Sequence, residues 1–279
     1  MKLYNILVDE KVHLCVDNRN GLIDLTAISE DITMESAIRG ENIEIISAVA
    51  NGDSTNTIQE PIVTNVVSSP VKLVCVGLNY KAHADGAGMG TVMNQPILFS
   101  KFFNSIAPDG GRIELPRWED TYDYEAELVI VIGKTAWNIS ADEAMDYVFG
   151  FTCGNDLSCR DAQKRSSQWL IGKALPGFGP CGPCIVSKDE VNLNEGLHIR
   201  SFVNGELRQD GNTLDMIFDC SQIVSYASRY IKLEPGDLIF TGTPAGVQLE
   251  KQSDAKWLVP GDKVEVEIES IGTLTNYMV

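Results

Sequence analysis

The segment Tyr124-Glu125-Ala126-Glu127-Leu128-Val129-Ile130-Val131-Ile132 sets two carboxylates at the head of an otherwise apolar run, and few folds tolerate that. Its β-branched content and alternation predict a strand. Side chains on a strand alternate faces, so Glu125 and Glu127 share one face. Ala126, Leu128, Ile130 and Ile132 share the other, which turns into a core. Two like charges side by side repel, and burial worsens the repulsion. Such a pair on its own is ordinarily the solvated acidic face of an amphipathic strand. The alternative is a divalent cation between the carboxylates, which reverses the sign of their interaction. Hard cations such as magnesium take oxygen ligands and often keep waters that a substrate displaces. A third carboxylate suits that site, and Asp156 follows the strand-like segment 149–154.

The chain of 279 residues carries a net charge of −17, with no Lys/Arg run longer than Lys164-Arg165. A nucleic-acid partner is therefore not expected, because no basic face is visible to displace counterions from phosphate. Acidity also poses a question for any enzyme of an anionic substrate, namely where the local positive charge lies. A metal in the site is one answer. No apolar run approaches the ~20 residues of a membrane span, and the first residues lack the apolar core of a signal peptide. The seven scattered cysteines read as reduced thiols, and a soluble cytoplasmic protein without membrane contact is expected.

Residues 1–70 read as a small N-terminal accessory domain of α/β type. Two alternating runs form a hairpin across Asp9-Glu10-Lys11, residues 26–50 hold two short helices, and 51–57 is a loop. Residues 71–279 are richer in strands. Ser140 with Glu143 predicts a capping box and a helix through Val148 stopped by Gly150. Asp219 predicts the cap of a second helix burying Ile223, Val224, Ala227, Tyr230 and Ile231. The tail alternates like a hairpin about Gly272. The fold class expected is α+β and β-rich.

Eight segments, in order, carry a family resemblance. They are Gly77-Leu78-Asn79-Tyr80-Lys81-Ala82-His83, Gln95-Pro96-Ile97-Leu98-Phe99-Ser100-Lys101 and Asp123-Tyr124-Glu125-Ala126-Glu127-Leu128. Asn155-Asp156-Leu157-Ser158-Cys159-Arg160-Asp161-Ala162-Gln163, Gly172-Lys173 and Val203-Asn204-Gly205-Glu206 follow. Phe240-Thr241-Gly242-Thr243-Pro244 and Gly272-Thr273-Leu274-Thr275-Asn276 complete the set. Together they resemble the fumarylacetoacetate hydrolase family, in particular its acylpyruvase and 2-hydroxyhepta-2,4-diene-1,7-dioate isomerase-like members. The resemblance implies a mixed β-roll catalytic domain, usually a homodimer. It also implies Mg2+ or Mn2+ on Glu125, Glu127 and Asp156, and a small anionic oxo acid as substrate. Lys173 matches a lysine of the substrate or metal shell. Arg160 and Gln163 match residues that position substrate. In the Gly242-Thr243 turn, Thr243 matches a threonine whose hydroxyl and N–H grip the substrate carboxylate.

The resemblance places His83 on a short lid, where the family pairs the histidine with a glutamate three residues later to activate water. Here that position is Gly86, and the nearest acid is Asp85, within the glycine-rich stretch 85–90. Either Asp85 takes the glutamate's place or the dyad is absent. His13 and His198 read as structural or surface residues. Cys181-Gly182-Pro183-Cys184 spells a redox motif, but strand-like residues follow it instead of a helix, so neither redox nor zinc chemistry is expected. The leading expectation is a metal-dependent hydrolase cleaving a C–C bond in a 2,4-dioxo acid through a metal-stabilised enolate. The alternatives are an oxo-acid decarboxylase or isomerase (oxaloacetate or 2-hydroxyhepta-2,4-diene-1,7-dioate type), or an oxo-acid-binding protein with reduced catalysis.

Overall fold

The computed structural model describes residues 1–68, 71–86 and 94–279, with the two-carboxylate strand near its centre. The N-terminal part contributes β1 (Lys2–Val8), β2 (Lys11–Asp17), β3 (Leu22–Asp24), α1 (Met34–Ile38), α2 (Ile43–Ala50) and β4 (Ile62–Val63). Next come β5 (Leu73–Gly77), α3 (Lys81–Gly86), β6 (Ile97–Lys101), β7 (Arg112–Ile113), β8 (Tyr122–Asp123) and β9 (Ala126–Ile132). The middle holds α4 (Ala141–Ala144), β10 (Val148–Asn155), β11 (Ser158–Cys159), α5 (Arg160–Lys164), α6 (Leu170–Lys173) and β12 (Cys181–Ser187). The last part adds β13 (His198–Val203), β14 (Glu206–Asn212), α7 (Cys220–Ser228), β15 (Leu238–Phe240), β16 (Lys263–Ile268) and β17 (Gly272–Met278).

The large sheet has the order β3-β2-β1-β12-β10-β9-β15-β5-β6, with β4 also on β1. Its pairs are antiparallel except β15 with β5. A second sheet runs β14-β13-β16-β17-β7, and β8 pairs with β11. This is the β-rich α+β architecture expected. The first strand joins the large sheet directly, since Lys2 and Leu3 pair with Val186 and Ile185 of β12. The boundary read near Pro70 lies outside the described residues. No helix among them is long and apolar enough to cross a membrane.

Both faces of β9 are buried, for different reasons. Ala126, Leu128, Ile130 and Ile132 pack with Ile199, Val266 and Leu274 of the second sheet and Ile223, Val224 and Ala227 of α7. Val129 and Val131, on the face of Glu127, pack with Phe240 and with Leu3, Leu14, Ile38 and Ile46 of the N-terminal part. A solvated acidic face is thereby excluded, since Glu125 is 5% and Glu127 1% exposed.

Two helix boundaries differ from expectation. Glu143 accepts from the Ser140 N–H at 3.3 Å, but α4 ends at Ala144 and Val148 already belongs to β10. Pairing of Val148 with Ile132, and of Phe151 with Ile130, commits that stretch to the sheet, and cross-strand burial outweighs helix propensity. Likewise Asp219 caps α7 through the Gln222 N–H at 2.8 Å, but the helix stops at Ser228 and Tyr230 is 67% exposed. Both hairpins form as read. Asp9 and Glu10 turn the first one with positive φ, the geometry of a tight two-residue turn.

Candidate active site

Antiparallel pairing of β9 with β10 sets Asn155 opposite Ala126 and so brings the start of β9 against the end of β10. The Glu125 N–H donates to Asn155 Oδ1 at 2.9 Å, and the Asp156 N–H donates to the Glu125 carbonyl at 2.9 Å. These cross-links aim Glu125, Glu127 and Asp156 at one point. All three are buried, and each offers a carboxylate oxygen within 4.8 Å of the others.

Three cations surround them. Lys173 Nζ donates to Glu125 Oε2 at 2.8 Å and to Asp156 Oδ2 at 2.7 Å. Gly172 makes this possible, because a Cβ there would lie 2.5 Å from the Gln163 N and 2.6 Å from the Cys159 carbonyl, so α6 packs directly on α5. Arg160 Nη2 lies 2.7 Å from both Asp123 Oδ2 and Glu125 Oε1, and its Nη1 donates to Gln163 Oε1 at 3.0 Å. Lys101, to which the sequence assigned no role, has its Nζ 2.6 Å from Asp156 Oδ1. Its protons go instead to the carbonyls of Leu157 at 3.0 Å, Phe178 at 2.7 Å and Lys173.

Burial works against the Glu125 carboxylate, but Lys173 and Arg160 outweigh it and hold its pKa well below the ordinary range. Glu127 goes the other way. Burial, with Asp156 and Glu125 adding repulsion, pushes its pKa well above the carboxylate range. Burial also lowers Lys101 despite Asp156, whereas in Lys173 the attraction of Asp156 and Glu125 overcomes burial and raises it. Asp156 Oδ1 accepts no well-formed hydrogen bond among the described residues. Three buried carboxylates converging on one point, one of them pushed toward its acid form, fit a divalent cation held by Glu125, Glu127 and Asp156.

His83 lies on α3, and Glu250, on the 3-10 helix Gln248–Asp254, supplies its partner: Nδ1 and Oε1 are 2.6 Å apart. Asp85, the nearest acid in sequence, is exposed. Gly86, where the resemblance leads one to expect the glutamate, faces Glu250: a Cβ there would lie 3.1 Å from Glu250 Cγ and Cδ. The histidine's acidic partner thus comes from across the chain rather than from its own helix. Of the glycine-rich lid, residues 87–90 lie outside the described residues. Asp123 anchors the Glu250 turn, taking the N–H groups of Gln248 at 2.9 Å and Leu249 at 3.0 Å while also binding Arg160.

The Gly242 N–H donates to Glu127 Oε2 at 2.7 Å and so positions a carboxylate of the triad. A positive φ of 97° and the backbone around Asn79 require glycine there. The Thr243 hydroxyl donates to the Ala126 carbonyl at 2.9 Å and accepts from Gln209 Nε2 at 2.7 Å, so it is already engaged. No described residue accepts its N–H. His83, Glu125, Glu127, Arg160, Gln163, Lys173 and Thr243 all line one cavity of about 280 Å³. The other histidines stand apart: His13 bonds Asp24 at 2.7 Å, and His198 is exposed.

All seven cysteines are free and buried. Cys181 and Cys184 lie inside β12, where burial pushes their thiols up to about 12 and about 11. A redox or zinc role needs thiolates, so burial opposes both.

Comparison with known proteins agrees with this geometry. The family described as fumarylacetoacetate (FAA) hydrolase C-terminal matches residues 72–279. A fumarylacetoacetate hydrolase domain-containing protein 2 homolog of Dictyostelium discoideum is 40% identical over 273 residues, covering 92% of this chain and 89% of that protein. A mitochondrial oxaloacetate tautomerase of Homo sapiens is 41% identical over 215 residues, covering 76% of this chain and 68% of its own. The structure of a fumarylacetoacetate hydrolase from Exiguobacterium antarcticum superposes with a TM-score of 0.85 at 31% identity, covering 100% of this chain and 99% of that one. With the matched region spanning every candidate site residue, the chain belongs to the fumarylacetoacetate hydrolase family.

Proposed function

We propose that this protein is a magnesium- or manganese-dependent enzyme that interconverts the keto and enol forms of a compact 2-oxo acid, of which oxaloacetate is the first candidate. The observation that carries this reading is His83, paired with Glu250, lining the same cavity as Glu125 and Glu127 of the buried triad. A relative 41% identical bears the name oxaloacetate tautomerase, which supports it. A divalent cation on Glu125, Glu127 and Asp156 supplies Lewis-acid stabilisation of negative charge developing on a substrate oxygen.

The chain's own residues do the rest. The unengaged Thr243 N–H receives the substrate carboxylate, and Gln163 and Arg160 flank it. Lys173 and Arg160 hold Glu125 in its ionised form, and Gly242 orients Glu127. With Nδ1–H given to Glu250, His83 keeps Nε2 as its basic nitrogen. That atom takes the proton from the carbon beside the 2-oxo group, and its return to the oxo oxygen completes the tautomerisation.

The same dyad favours a second reading. His83 Nε2 accepting a proton from water would assist C–C hydrolysis of a 2,4-dioxo acid, with Glu250 orienting the imidazole as it does for proton abstraction. A turnover screen over 2-oxo and 2,4-dioxo acids, with and without Mg2+, tests both. A shifted keto–enol equilibration rate with no new acid supports the first, and two organic acids support the second. Turnover that survives chelation sinks both.

A further inference from the structure

The cavity has two unlike kinds of wall. Glu125, Glu127, Arg160 and Lys173 make the polar wall, while Val76, Leu78, Phe99, Trp169 and Leu249 make an apolar one that the chemistry above leaves unused. Trp169, half-buried, is the largest side chain of that apolar wall. Its carbonyl accepts the Gly172 N–H at 2.9 Å, so the indole is held at the start of the turn that delivers Lys173. Its ring meets Phe99 edge-on, with centroids 5.3 Å apart and planes at 70°. Phe99 in turn lies 5.2 Å from Lys173 Nζ, so the apolar and polar walls share one aromatic ring.

Gly77, at the end of β5, explains the seat. Its φ is outside the left-handed region, so backbone conformation does not demand glycine there. Close approach does: a Cβ at position 77 would lie 2.4 Å from Trp169 Cζ3 and 2.8 Å from Cη2. The indole occupies the space that any side chain at 77 would fill, directly beside the entry to the histidine segment.

We infer that Trp169, seated on Gly77 and braced by Phe99, is a specificity-determining residue: it forms part of the apolar wall and limits the substrate to a short, flat group beyond its oxo-carboxylate head. The inference rests on the oxo-acid reading and names the class of acid within it. At about 280 Å³ the cavity is small for a ligand site, and a rigid aromatic plane rejects branching more strongly than a flexible side chain does. Trp169 is not one of the three residues whose carboxylates would hold the metal, so its replacement probes the tail wall.

The test compares wild type, Trp169→Ala and Trp169→Phe on a series of 2-oxo acids from oxaloacetate to longer and branched members, with Mg2+. The alanine variant is expected to raise kcat/KM for the longer or branched acids relative to oxaloacetate by about tenfold or more, mainly through KM. The phenylalanine variant should fall between, and Mg2+ affinity by calorimetry should be unchanged. A proportional loss across the whole series would make Trp169 a structural residue and overturn the inference. Mg2+-dependent binding of the same acids to wild type and variants is measured alongside. No binding of any acid to wild type overturns the oxo-acid reading and this inference together. Binding with an unchanged ranking in Trp169→Ala overturns this inference alone.

Discussion

Replacing Glu250 with glutamine keeps its shape and an oxygen for the Gly246 N–H, but removes the charge facing His83. The pair is separated by 2.6 Å, with side chains only 5% and 12% exposed, so water screens it weakly. A hydrogen bond to an ionised partner contributes about 1.5–3 kcal/mol, and about 1.4 kcal/mol is tenfold in rate. If that energy is expressed when His83 gains its proton, kcat falls roughly 10- to 150-fold. Mg2+ affinity should stay as it was, because Glu250 lies outside the triad. Gly86 supplies the internal control. Glu250→Ala empties the space beside position 86, and Gly86→Glu in that background returns a carboxylate to it; a recovery of about tenfold or more in kcat is expected. Asp85→Asn, at an exposed position, should cost less than Glu250→Gln. Steady-state kinetics on the identified substrate, with metal affinity measured separately, gives the answer. Activity of Glu250→Gln within about twofold of wild type would refute the dyad, since general-base catalysis ordinarily contributes at least a hundredfold.

Other outcomes follow from the same charges. Glu127 has a raised pKa and must release its proton to bind a cation, so Mg2+ affinity should rise with pH as that proton is lost. Calorimetry in buffers of different ionisation enthalpy should show the release, and a pH-independent affinity without proton release would contradict the assignment. Asp156→Asn should abolish both turnover and tight metal binding, whereas retained Mg2+ affinity would remove it from the ligand set. Lys101→Met strands the buried Asp156 and leaves carbonyls of Leu157 and Phe178 unpaired, so urea denaturation should show a loss of about 3–5 kcal/mol. Cys181→Ser with Cys184→Ser should keep oxidant-insensitive activity, since neither thiol ionises near neutral pH.

What was legible in the sequence followed local pattern. The alternation of Glu125 to Ile132 gave the strand and the shared face, and Ser140 and Asp219 announced their helix starts correctly. The helix ends were less visible, because Val148 is taken by the sheet through a partner, Ile132, that helix propensity does not see. Lys101 sat in view within Phe99-Ser100-Lys101, but nothing in a strand-terminal lysine says that it is buried against Asp156. Glu250 was hidden most completely. It lies 167 residues from His83 in a polar stretch that reads as surface, and Asp123, holding the Gln248 and Leu249 N–H groups, helps bring it to the site. The acid sought within three residues of the histidine is instead placed beside it by the tertiary fold.

The charge question raised by a chain of net charge −17 is answered inside the site. Four carboxylates, Asp123, Glu125, Glu127 and Asp156, face three cations, Lys101, Arg160 and Lys173, which leaves one net negative charge. Without an ion that excess is relieved most simply by protonating Glu127, which is the carboxylate whose pKa is raised. With Glu127 ionised and a divalent ion present, the same shell carries one net positive charge in a buried setting, where charge is felt strongly. An anionic oxo acid then meets local attraction despite the acidic exterior. On the proposed function, ion binding and substrate binding are coupled, and the apparent affinity for a 2-oxo acid should fall with Mg2+ removal far more than its loss of direct contacts alone would give.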